Sequence, residues 1–314
     1  MKKTLTLLLI AMLVLTAVNF AVAEEEVTMV MVPNAEGTLV EVAFPKNIER
    51  VVVLNHQTMD FLDAVGLSDK VVGYIKEGTT PSHLKKFVED ESIANVGGMK
   101  DIDMEKVMEL EPDVIFSSDR TESKYDEFSM IAPTFAASVD YSVGFFQGFK
   151  NLAATHAKIF GLTSEVDATL EGYATRIAAI KEFAAGKTAL LGIFAGGLNT
   201  LGDIGRAAII TTDMGFTNLQ LENVNHGNLS SYEAWLELNP DYMFVLDKDT
   251  AVGREDAIAA QEQMDNDIIK ETNAYKNGNI IYLTPGTTWY VADGGITSMD
   301  QMINCIEVGL GLVK

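Results

Sequence analysis

Cysteine is almost absent from this chain of 314 residues: Cys305, near the C-terminus, is the sole one. That excludes an internal disulfide, a thiolate metal cluster and a lipid-modifiable cysteine beside a leader. Histidine is scarce too, at four residues, and 23 basic residues face 45 acidic ones, for a formal net charge of −22. So acidic a surface suits neither nucleic acid nor an anionic membrane. Past the N-terminus no apolar run reaches the roughly 20 residues that a membrane-spanning helix needs. Signatures of catalysis are missing as well: there is no G-x-S-x-G elbow, no H-E-x-x-H, no G-x-x-x-x-G-K-S/T and no G-x-G-x-x-G after a strand. No short-period repeat or low-complexity tract suggests a structural or adhesive role.

What is present begins with a leader. Lys2 and Lys3 precede an apolar run from Leu5 to Val18, and Ala21-Val22-Ala23 stands ahead of Glu24-Glu25-Glu26. This is the pattern of a secretory signal peptide over residues 1–23, cleaved after Ala23. Its removal takes two of the 23 basic residues, leaving 21 against 45 acidic ones and a formal charge of −24. The expected mature protein is soluble, monomeric and periplasmic, with no membrane insertion and enough chain for two cores.

A repeat supports two cores. Residues 105–116 read EKVMELEPDVIF and residues 233–244 read EAWLELNPDYMF, both fitting E-x-x-x-E-L-x-P-D-x-x-F. In each copy a helix should end ahead of the proline, and the apolar run after it should form a buried parallel strand. Short β-branched runs alternate with helical patterns elsewhere: RVVVL (50–54), KVVGYI (70–75), DVIFSS (113–118), TALLGIF (188–194), DYMFVL (241–246) and NIIYL (279–283). That alternation predicts an α/β fold. VTMVMV and TLVEVAF, flanking PNAEG, predict an N-terminal hairpin. Between the halves, Val166, Leu170, Tyr173, Ile177 and Ile180 recur at helical spacing within 163–187, with Thr163 or Ser164 placed to cap the start and Gly186 the end. The division is therefore an N-terminal lobe over 24–160, a rigid connecting helix within 161–187 and a C-terminal lobe over 188–314.

In open α/β sheets ligands sit beyond the carboxyl ends of the strands. Arg120, Arg206, Lys248 and Tyr290 all follow predicted strands, and His226 sits in the Asn/Gly loop NVNHGN before the second repeat helix. A strand-end arginine is often a solvated or ion-paired residue, and a tyrosine there often packs with its hydroxyl wet. Three cations at strand ends in so acidic a chain, with a His and a Tyr, instead suggest a pocket for an anionic metal chelate. Ferric iron favours oxygen donors, and tyrosinate and imidazole are competent to complete its shell. His56 either faces the cleft or serves a helix N-terminus, while His83 and His156 read as surface or packing residues. The glycines of FAGG and ADGG read as tight turns.

From about residue 46 onward the chain resembles the class III substrate-binding proteins of ABC importers, and among them the binders of ferric catecholate siderophores. The resemblance is carried by ERVVVLNHQTMDFLDAVGLSDKVVGY, EPDVIFSSDR, NVNHGNLSSYEAW and NGNIIYLTPGTTWYVADGG. It implies two Rossmann-like lobes joined by one long helix. It implies further that His226 and Tyr290 complete the iron shell of a tetradentate bis-catecholate. Arg120 and Arg206 match two family arginines around the catecholate oxygens, and Lys248 stands where a third is expected, keeping the charge but losing the planar fork. Glu105 and Glu233 match the surface glutamates that dock on the membrane subunits of the importer, although first-turn glutamates also complement helix N-termini. No intrinsic cofactor and no enzymatic activity are implied. Haem, cobalamin or another ferric chelate on the same fold is the alternative cargo.

Overall fold

The computed structural model describes residues 26–219 and 228–313. The leader and His226 lie outside the described residues. Val27–Pro33 and Leu39–Pro45 pair as the expected antiparallel hairpin. Its turn is held by Asn34, whose Oδ1 accepts the N–H groups of Glu36 and Thr38.

The N-terminal lobe is built on five parallel strands in the order Ala94–Asn95, Val71–Tyr74, Val51–Val53, Val114–Ser117, Thr134–Ala136. The central strand is Val-Val-Val with every residue buried, as a strand covered on both faces requires. In the C-terminal lobe, Thr188–Phe194 pairs in parallel with Tyr242–Asp247, which in turn pairs with Ile280–Tyr282. All six strands expected from β-branched runs are thus present. The other side of Thr188–Phe194 was not anticipated: Leu198–Leu201 runs antiparallel to it, folded back by the Gly196-Gly197 turn, and Asn228–Leu229 pairs beyond it.

The two repeat copies are structurally equivalent. Their helices, Met104–Glu109 and Tyr232–Leu238, are capped by Asp103 and Ser231, which accept the N–H groups of Lys106 and Ala234. Each unit then passes through a residue with φ of 44°, Glu111 or Asn239, directly before its proline. The aspartate after each proline holds the start of the first strand of its own lobe. Asp113 accepts the N–H groups of Glu49 and Arg50, and Asp241 accepts the N–H and hydroxyl of Thr188. The P-D pair therefore aligns adjacent strands, which explains its recurrence in both halves.

The connecting helix spans Thr163–Ala184 and buries Val166, Leu170, Tyr173, Ile177 and Ile180, the predicted stripe. Its start differs from expectation. Leu162 is the N-cap and no side chain caps it, because Gly161, at φ 70°, turns the chain straight out of the preceding helix Phe145–Phe160. Gly186, at φ 75°, follows the far end. Among the described residues no helix is long and apolar enough to cross a membrane.

The last helix, Ile296–Gly309, returns to the other lobe. Arg176 of the connecting helix forks onto Glu307 and also meets Asp300, and the Tyr173 hydroxyl donates to the Ile296 carbonyl. Its N-terminus is closed by Asp60, a fully buried residue of the first helix, His56–Ala64. The Asp60 carboxylate accepts the Thr297 N–H at 2.6 Å, the Ser298 N–H at 2.9 Å and the Ser298 hydroxyl at 2.6 Å, with His83 Nε2 at 2.8 Å. A negative side chain here both fills orphan helix donors and complements the helix dipole. Asp60→Ala would strand those buried groups and should cost about 3 kcal/mol or more. Urea unfolding measures it; a loss below about 1 kcal/mol would show that the helix end is satisfied another way.

Candidate functional site

The carboxyl ends of the strands of both lobes open on one cleft of about 310 Å³. From the N-terminal lobe it is lined by Asn55 and Gln57 after Val51–Val53, by Ser118, Asp119 and Arg120 after Val114–Ser117, and by Ser138, Val139 and Tyr141 after Thr134–Ala136. These loops support one another. Asn55 donates to the Ser117 carbonyl at 2.8 Å while accepting the Thr58 N–H at 2.7 Å, and Asp119 N–H donates to the Ser138 hydroxyl at 3.0 Å. Arg120 is exposed at the start of the short 3-10 turn Asp119–Lys124.

The opposite wall is made by Arg206, Tyr290 and Val291. Tyr290 belongs to the short helix Gly286–Val291. Arg206 lies over its ring: the guanidinium carbon is 4.5 Å from the ring centroid, and Nε donates to the Tyr290 carbonyl at 3.1 Å. That double contact, to the ring face and to the carbonyl, suits a guanidinium better than an ammonium. Lys248 approaches the same ring, at 5.9 Å, but it does not line the cleft, and its ammonium is 3.3 Å from Asp249. The structure therefore brings Arg120, Arg206 and Tyr290 to one cleft and leaves Lys248 off its lining, beside Asp249. An anionic oxygen entering beside Tyr290 would meet Arg206 first.

The floor was not legible beforehand. Tyr141 donates its hydroxyl to Asp293 Oδ2 at 2.9 Å, and Asp293 is buried. Burial pushes the Asp293 carboxyl up to about 6, against the opposing pull of the Arg206 charge and the Tyr141 hydrogen bond. Burial and the neighbouring carboxylate raise the Tyr141 phenol, which stays protonated. The glycines of ADGG form the expected tight turn, with Gly295 N–H donating to the Ala292 carbonyl at 3.1 Å, and they also allow close approach. A Cβ on Gly294 would fall 2.5 Å from Val139 Cγ2, and one on Gly295 would fall 2.3 Å from Asp60 Cγ. Only the FAGG pair turns the chain with positive φ, 76° and 149°.

The other histidines have structural roles. His56 is the first residue of its helix and is buried, with Nδ1 2.6 Å from the Tyr74 hydroxyl and Nε2 2.9 Å from the Thr79 carbonyl, so it does not enter the cleft. His156 stacks on Phe61 and Phe116, at 4.8 and 5.2 Å, and its Nε2 meets the Thr58 hydroxyl. His83 packs against Asp60. Glu105 and Glu233 are exposed in the first turns of equivalent helices.

Two α/β sheets, a long helix between them and a charged cleft at the strand ends define a two-lobed binding protein. The family model described as periplasmic binding protein matches residues 51–287, and the chain belongs to that family. It is a substrate-binding protein and not an enzyme. The petrobactin-binding protein YclQ of Bacillus subtilis (strain 168) is 37% identical over 293 residues, covering 91% of this chain and 89% of that protein. Its crystal structure superposes with a TM-score of 0.81 at 36% identity, over 90% of this chain and 99% of that one. The periplasmic catecholate-siderophore binding protein VctP of Vibrio cholerae also gives 0.81, at 27% identity, over 90% and 100% of the two chains. PiuA of Streptococcus pneumoniae, an iron uptake ABC transporter substrate-binding protein, gives 0.80 at 30% identity, over 91% and 99%.

Three buried groups make stability depend on pH. Burial holds His56 and His156 near 4, below their ordinary 6.5. Each contributes stability that is complete above pH 6.5 and is lost as pH falls toward 4, up to about 3 kcal/mol apiece. Asp293 acts in the opposite sense, since its raised value stabilises the fold below pH 4 and that contribution disappears as pH rises through 6. The net expectation is a loss of about 3 kcal/mol between pH 6.5 and pH 4. Urea unfolding across that range measures it, and His156→Gln should flatten the slope; an unchanged slope would remove His156 from the account.

Proposed function

We propose that this protein captures a ferric catecholate siderophore, of the tetradentate bis-catecholate class, between its lobes and delivers it to the transmembrane subunits of an ABC importer. The observation that carries the reading is Arg206 laid across Tyr290 in a cleft shared with Arg120. A phenol beside two guanidinium groups suits an anionic chelate whose iron has coordination positions left to fill. The names of YclQ, VctP and PiuA, which refer to petrobactin, catecholate siderophores and ABC iron uptake, support the same class. Iron is cargo here, carried in by the chelate, and the protein supplies no cofactor of its own.

In this reading Tyr290 and His226 complete the iron shell, Arg120 and Arg206 neutralise catecholate oxygens, and Lys248 adds charge near the ring. The lobes are residues 24–160 and 188–314 about the helix within 161–187. The mature chain begins after Ala23 and works as a soluble periplasmic monomer. Glu105 and Glu233 stand exposed on equivalent helices of the two lobes, which fits a pair of docking points for the importer.

Titration with a ferric bis-catecholate tests the site. A shifted charge-transfer band should appear and be lost in Tyr290→Phe and in His226→Ala, while Arg206→Ala should weaken binding about tenfold or more. A band that survives both ligand substitutions would rule out direct coordination. For docking, Glu105→Ala combined with Glu233→Ala should abolish uptake of the loaded chelate in cells while its titration in solution is unaltered. Undiminished uptake would return both glutamates to a helix-end role.

A further inference from the structure

The cleft proposed to hold an anionic chelate contains a feature that such a ligand does not explain. Its floor carries a buried carboxylate, Asp293, only 5% exposed and lining the same cavity as Arg120 and Arg206. An ionised carboxylate repels catecholate oxygens, so whatever ligand group lies over it must carry the opposite polarity. The geometry points to Asp293 as a specificity-determining subsite for a protonated amine, set beside the two cationic walls: the preferred cargo is a ferric chelate bearing an ammonium group in the backbone that links its anionic iron-binding arms.

The carboxylate is aimed and held. Tyr141 occupies Oδ2 from the N-terminal lobe, at 2.9 Å. The following glycines press against Val139, Gln57 and Asp60 so closely that a Cβ on either would collide, and the next residues are tied to the Asp60 carboxylate. The segment cannot slide without breaking these contacts, which leaves the acid preorganised for a ligand donor. A charge-assisted bond in a partly desolvated cleft is stronger and more selective than the same bond at the surface. Asp293 lies within electrostatic reach of Arg206 in the cavity that Arg120 also lines, so one ligand carrying both signs could satisfy both. Such a ligand orients in one way only, with its iron end toward Tyr290 and its amine toward the floor.

This inference rests on the ferric-chelate reading, and the two fail differently. The probes are two synthetic ferric bis-catecholates with identical donor arms and equal linker length, one with a secondary amine at the linker centre and one with a methylene there. The wild-type protein at pH 7.5 should bind the amine chelate about tenfold more tightly or better, and in Asp293→Asn that ratio should collapse toward one. Should the variant fail to fold, the wild-type protein answers alone. The ratio should fall between pH 7.5 and pH 5 as Asp293 takes up a proton, because the amine stays charged and the arms are common to both probes. The groups facing Asp293 are the Tyr141 hydroxyl, which burial keeps protonated, the Arg206 guanidinium and the Asp119 carboxylate. Equal affinities in the wild-type protein, or a ratio unaltered by both the variant and the pH change, would overturn the subsite and reduce Asp293 to a tie between lobes. Failure of both chelates to bind at all would overturn the ferric-chelate reading and the subsite together.

Discussion

The Asp60 carboxylate holds this molecule together across its greatest sequence distance. It sits in the first helix of one lobe, fully buried, and closes the N-terminus of the last helix 237 residues on. A buried charge is costly in isolation, yet three donors of the far helix and His83 surround this one, and the helix dipole adds to their attraction. The final helix is thereby pinned to the first lobe and, through Arg176 and Tyr173, to the connecting helix. The short segment leading into it must cross from one lobe to the other, and that crossing is the floor of the cleft. Site and scaffold are thus coupled through a single carboxylate.

Charge is used sparingly and unevenly. In a chain with 45 acidic and 23 basic residues, two guanidinium groups are committed to one cavity and one of them is immobilised on a tyrosine ring. A buried acid, Asp293, lines the same cavity. Such a cavity discriminates by the arrangement of signs as much as by their sum. The third strand-end cation, Lys248, stands 5.9 Å from the ring centroid, pairs with Asp249 and does not line the cleft, so its contribution to a ligand would be one of field and not of contact.

The parts of the fold that local pattern controls were readable in advance. The six β-branched runs became strands because their side chains demand burial on both faces, and the helical stripe from Val166 to Ile180 became the buried face of the connecting helix. The P-D pairs of the repeat announced two equivalent units because proline ends a helix wherever it stands. Arg120, Arg206 and Tyr290 were nameable from their position after strands, since loops at strand ends line the cleft in this kind of sheet. Asp293 and Tyr141 carried no such signal: they are 152 residues apart and meet only in the folded chain. The glycines of ADGG form the turn that their pattern suggests, but their close approach to Val139 and Asp60 carried no local signal. Leu198–Leu201 was missed because its partner, and not its own short run, makes it a strand.

The sequence by itself determined the elements, their order, the two-fold repeat of the architecture and the residue types available at the strand ends, because helix periodicity, β-branching and proline act over a few neighbours. Only the tertiary structure decided which of those side chains share a cavity, that one cation lies across the tyrosine while another pairs with an aspartate, and that a buried acid forms the floor. Those outcomes depend on burial and on distances between residues far apart in the chain, and neither exists until the lobes have packed.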